Sequence, residues 1–71
     1  METLIYPRRK LSQRQLDVLS LVCRGFRNSE IALVLNISDR SVKHCLGQLF
    51  LIFDVANRTE LAGTAQSVYE P

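Results

Sequence analysis

Apolar residues recur three and four positions apart along most of the chain, and no stretch alternates with a spacing of two. The first spacing is that of a helix face; the second would be that of a strand. Val18, Leu19, Val22 and Phe26 form one such stripe, with Leu21 and Cys23 beside it. Ile31, Ala32 and Leu35 form a second, shorter one. Val42, Cys45, Leu46, Leu49, Phe50 and Phe53 form the longest. Leu61, Ala65 and Val68 form the last.

Polar punctuation separates these stripes. Ser12 with Gln15 suits a capping box, in which each side chain bonds the other residue's backbone N–H. Gly25 suits a left-handed helix end. Asn28, Ser38 and Asn57 suit helix starts, the last with Glu60 three residues on. The pattern predicts an all-α domain of four helices over 13–24, 29–35, 39–53 and 58–68. Pro7 rules out a long helix before them, so residues 1–10 read as an extended arm with a basic end, Arg8-Arg9-Lys10. The domain proper covers residues 11–69.

A short helix, a turn of about three residues and a longer helix make a helix-turn-helix. The third helix is then the recognition helix, with Arg40, Lys43, His44, Gly47 and Leu51 on its outward face.

Charge sharpens this picture. The net charge of +2 hides an asymmetry. Residues 1–43 carry eight basic and four acidic side chains, whereas residues 44–71 carry Arg58 against Asp54, Glu60 and Glu70. A basic half suits a nucleic acid, or simply keeps a surface solvated. Arg14 and Glu30 suit an ion pair across the first two helices, with DNA contact the alternative for Arg14.

Other chemistry is thin. Two cysteines and one histidine make no metal set and no CxxC, and no cofactor is expected. Cys23 and Cys45 sit at apolar-periodic positions, as small core residues of a protein in a reducing cytoplasm would. No apolar run is long enough for a membrane span, and no signal peptide is expected. No acid/base pair, nucleophile or phosphate loop argues for an enzyme.

Four blocks carry a family resemblance. Leu11-Ser12-Gln13-Arg14 resembles Leu-Thr-Pro-Arg, and Gly25-Phe26-Arg27-Asn28-Ser29-Glu30-Ile31-Ala32 resembles Gly-x-x-Asn-x-Glu-Ile-Ala. Ile37-Ser38-Asp39-Arg40-Ser41-Val42-Lys43 resembles Ile-Ser-x-x-Thr-Val-Lys, and Val55 with Arg58-Thr59-Glu60 resembles Val-x-x-Arg-Thr-Glu. Together they resemble the LuxR-type (GerE-like) DNA-binding domain of bacterial transcription regulators, from Leu11 to about Ala65. The resemblance implies that the third helix enters the major groove of double-stranded DNA. It also implies a homodimer formed largely through the fourth helix. Lys43, His44 and Gly47 take the groove-facing positions, Arg40 and Ser41 lie where phosphates are expected, and the amides of Asn28 and Ser29 open the second helix toward phosphate. Lys43 can donate to a guanine edge or a phosphate, while Gly47 permits close approach and reads nothing.

The chain departs from the family in one direction. Leu33 and Val34, and Leu51 and Ile52, stand where the family usually has basic residues. Five apolar residues in a row, 49–53, cannot all face one neighbour, so Leu51 or Ile52 should face outward. With Leu61, Ala65 and Val68 these residues form the expected dimer or partner surface. Two functions follow: a sequence-specific transcription regulator, free-standing or part of a larger one, or an interaction module that binds another regulator or RNA polymerase with little DNA affinity.

Overall fold

The computed structural model describes residues 11–69, with side chains through residue 65. Four helices follow in order: α1 (Gln13–Cys23), α2 (Asn28–Leu35), α3 (Asp39–Phe53) and α4 (Arg58–Tyr69). No strand occurs among the described residues. The expected basic arm, residues 1–10, lies outside them.

Local chemistry sets each start. The Ser12 hydroxyl accepts from the Gln15 N–H at 3.1 Å, and the Gln15 side-chain oxygen Oε1 accepts from the Ser12 N–H at 2.9 Å. That is the expected capping box. Ser38 opens α3 by accepting from the Ser41 N–H at 3.0 Å. Asn57 opens α4 by accepting from the Glu60 N–H at 2.9 Å, but Glu60 reaches one residue further back, to the Ala56 N–H at 2.8 Å. Asn28 is not the cap of α2. Arg27 holds that position, its N–H donating to the Glu30 carboxylate at 2.7 Å, and Asn28 is already helical. The Glu30 carboxylate is thus turned onto backbone rather than toward Arg14.

Three helices end in one way. Gly25 (φ 87°), Asn36 (φ 58°) and Asp54 (φ 55°) turn left-handed. Asn and Asp tolerate that region better than most residues. The next residue in each case, Phe26, Ile37 or Val55, bonds back to the carbonyl of Leu21, Ala32 or Phe50 at 3.0 Å. Each of those three residues is apolar and rests on the core. This pairing of a left-handed residue with a hydrophobic anchor fixes where the chain turns.

The core is one cluster drawn from all four helices. Val18, Ile31, Val42, Leu49, Phe53 and Leu61 are its largest enclosed side chains. α1 packs on α2, α3 and α4, and α3 packs on α2 and α4. The three-residue link between α2 and α3 leaves one side of α3 uncovered.

Two expected interface residues are core instead. Leu61 (0% exposed) and Ala65 (1%) face inward and offer a partner nothing. An apolar stripe along a helix signals burial, and here α1 and α3 supply the surface it is buried against. The side chain of Val68, the third member of that stripe, lies outside the described ones.

Candidate nucleic-acid interface

The uncovered side of α3 is a continuous strip. At 3.6 residues per turn, Arg40, Lys43, His44, Gly47 and Leu51 fall within about 100° of arc. All five are exposed. The stripe behind them, from Val42 to Phe53, anchors the helix so that this strip cannot rotate away from solvent. Lys43 and His44 sit side by side in the first half of the helix, each able to donate to an acceptor beyond the protein.

Arg40 and Ser41 stand at the start of α3. Ser41 is half-buried, and its hydroxyl oxygen accepts from the Ser38 hydroxyl at 3.1 Å. At the start of α2, Arg27 brings no side-chain acceptor to the cap position. The Asn28 and Ser29 amides therefore find no acceptor among the described residues, as expected for a helix start left open to an outside anion. Ser29 is exposed.

The Asn28 side chain has a different role. Its carbonyl oxygen accepts from Nη1 of Arg58 at 2.6 Å, while Nη2 of Arg58 donates to the Phe26 carbonyl in a short hydrogen bond. Arg58, in the first turn of α4, thus ties the fourth helix to the start of the second. Sequence reasoning assigns Arg58 no role beyond its place in a family motif. A signal for it exists nonetheless: it is the one basic residue of the acidic half, residues 44–71.

A cleft of about 480 Å³ opens between the first turn of α1 and the stretch of α3 from Arg40 to Gln48. Arg14 and Gln15 line its α1 side, and Arg40, His44 and Gln48 its α3 side. The Gln15 amide donates to the Gln48 side-chain oxygen at 3.1 Å and bridges the two helices. Cys45 closes the interior end.

The expected apolar surface is divided. Leu33 (82% exposed), Val34 (57%) and Leu51 (83%) are exposed. Ile52 is half-buried and leans on the core, so of the adjacent pair it is Leu51 that faces outward. Among the described residues there is no group of His, Cys, Asp and Glu that could hold a metal, and no helix is long and apolar enough to cross a membrane.

Residues 9–65 match the family model for bacterial regulatory proteins, luxR family. The chain is 33% identical over 60 residues to the HTH-type transcriptional regulator MalT of Vibrio campbellii, covering 84% of this chain and 7% of MalT. It is 41% identical over 54 residues to the putative HTH-type transcriptional regulator YhjB of Escherichia coli, covering 76% of this chain and 27% of YhjB. Its fold is similar to that of the DNA-binding domain of the response regulator ComA, solved in complex with the anti-activator RapF. The TM-score is 0.76 at 37% identity, covering 80% of this chain and 98% of that one. The chain therefore spans less than a third of the curated relatives named above.

Proposed function

Because the chain belongs to the luxR family of bacterial regulatory proteins, we propose that it is a DNA-binding transcription regulator, or that part of one, acting in the bacterial cytoplasm without catalysis. α3 lies in the major groove. Lys43 and His44 face base edges, and Gly47 lets the helix sit deep. Arg40, the Ser41 hydroxyl and the open amides at Asn28 and Ser29 meet phosphates. Two copies bind together on paired half-sites, as helix-turn-helix readers commonly do.

The observation that carries this reading is the exposed strip of α3, held outward by a fully packed opposite face. The test is duplex binding by fluorescence anisotropy across salt concentrations. A steep loss of affinity with salt is expected, because each phosphate neutralised releases counterions. Lys43→Ala should cost about 1–3 kcal/mol on the preferred sequence if the lysine reads a base. Salt-independent binding, or none, would overturn the reading.

A second reading has its own support. Leu51 lies within the same strip as Lys43 and is almost wholly exposed, and Leu33 is equally open on α2. The related ComA domain is seen bound to an anti-activator protein. An interaction module that docks on another regulator or RNA polymerase would use such residues. Its dependence on salt would be flat, and Leu51→Lys would abolish its binding to the partner.

A further inference from the structure

We propose that the cleft between α1 and α3 is a phosphate clamp for the DNA backbone, in which Arg14 and Arg40 grip one strand from two different helices. The proposal rests on α3 being the groove helix and adds to that reading a site on α1.

The geometry of α3 makes the connection. Arg40 and His44 belong both to the exposed strip and to the cleft, and Gln48 continues from them toward α1. The cleft therefore begins at one edge of the strip and ends at the first turn of α1. The major groove is about 12 Å wide, and a helix with its side chains fills about 10–12 Å of it. A helix seated there has a sugar–phosphate strand along each flank. On the Arg40–His44 flank, the protein surface that strand meets is this cleft.

The chemistry fits a phosphate. None of the eight residues that line the cleft is acidic, and two are arginines. Among the described residues neither guanidinium is paired with a carboxylate: Glu30 bonds backbone, and Asp17 accepts from the Gln13 amide at 2.9 Å. Two exposed arginines on separate helices would repel and splay without a shared anion. Here the packing of α1 on α3 fixes the separation of the two helices, and the Gln15–Gln48 hydrogen bond bridges them at the cleft. An arginine fork is the side chain best matched to a phosphate's paired oxygens. Ser12 and Ser41, at the rim, add hydroxyls.

The experiment compares wild type with Arg14→Ala, Arg14→Lys and Lys43→Ala, by anisotropy on a selected duplex and a random one. Circular dichroism checks the fold, which exposed Arg14 does not support. Arg14→Ala should weaken both duplexes alike and lower the log–log salt slope by about 0.9, the share of one phosphate. Arg14→Lys should keep the slope. Wild-type affinity and slope in Arg14→Ala, with Lys43→Ala still impaired, would overturn the clamp and leave α3 as the reader. Absence of salt-dependent binding in the wild type would overturn both. A titration with inorganic phosphate, read from amide shifts, separates the sources. If phosphate fills the cleft while Arg14→Ala leaves duplex affinity unchanged, the site serves a free phosphate and the backbone assignment fails.

Discussion

Gly47 should cost the free protein stability and repay it on DNA. It is the ninth of fifteen residues in α3, so its backbone is helical and interior. A glycine there is less stable than alanine by about 0.8–1.0 kcal/mol, because its unfolded chain has more freedom to lose. Nothing in the fold explains why the position lacks a side chain. A Cβ placed on Gly47 meets no atom within 4 Å, and its φ is not positive. Gly47→Ala should therefore recover nearly the full difference. In a domain this small, 1 kcal/mol raises the melting temperature by about 4–8 °C. On DNA the sign should reverse. Gly47 lies mid-strip between His44 and Leu51, where in the proposed docking α3 comes nearest the base edges. A methyl forced into a packed contact costs typically about 1–3 kcal/mol, a factor of roughly 5 to 150 in affinity. Thermal unfolding by circular dichroism and duplex binding by anisotropy read the two effects. Gly63, also exposed and with open space around its Cβ position, is the control in α4. Gly63→Ala should stabilise similarly and leave binding alone. If Gly47→Ala stabilises and binds DNA as well as wild type, α3 does not approach closely at this point and the reasoning fails.

Leu61→Ala should destabilise by about 2–5 kcal/mol, since Leu61 is fully enclosed and its removal leaves a cavity where α4 packs on α1 and α3; urea unfolding would show it, and a cost below about 1 kcal/mol would mean that α4 is loosely held. Arg58→Ala should cost about 1.5–3 kcal/mol by leaving the Phe26 carbonyl and Asn28 side chain without their charged donor. Arg58→Lys should recover little, because one ammonium cannot span both acceptors as the guanidinium fork does. Leu51→Lys should leave helicity and melting temperature unchanged, whereas Ile52→Lys should lower the melting temperature, because only Ile52 rests on the core. If sedimentation shows self-association in wild type, Leu51→Lys should reduce it.

Helix positions and most of their ends follow from neighbours in the chain. The Ser12–Gln15 and Ser38–Ser41 caps join residues three apart, so they form wherever the chain enters a helix. The apolar periodicity of α3 likewise dictates which side faces in and leaves Arg40, Lys43, His44 and Gly47 facing out. These interactions have short sequence separations, and reading the chain in order recovers them. Asp54 escapes such a reading, because an aspartate's left-handed turn leaves no glycine to mark it.

Contacts between distant residues obey no such spacing. Arg58 meets Asn28 across thirty residues, and that pairing turns an expected cap into a tether between α2 and α4. By sequence Arg14 suits an ion pair with Glu30. The packing of α1 on α3 sets it instead across a cleft from Arg40. Periodicity also cannot separate Leu61 and Ala65 from a dimer surface, because a stripe that seeks apolar contact has the same composition whether its partner is the same chain or another. The orientation of α4 on α1 and α3 settles it by enclosing both side chains. Between Leu51 and Ile52 the rotation of one helix, fixed by Leu49 and Phe53 on its inner side, leaves one side chain in water and the other on the core.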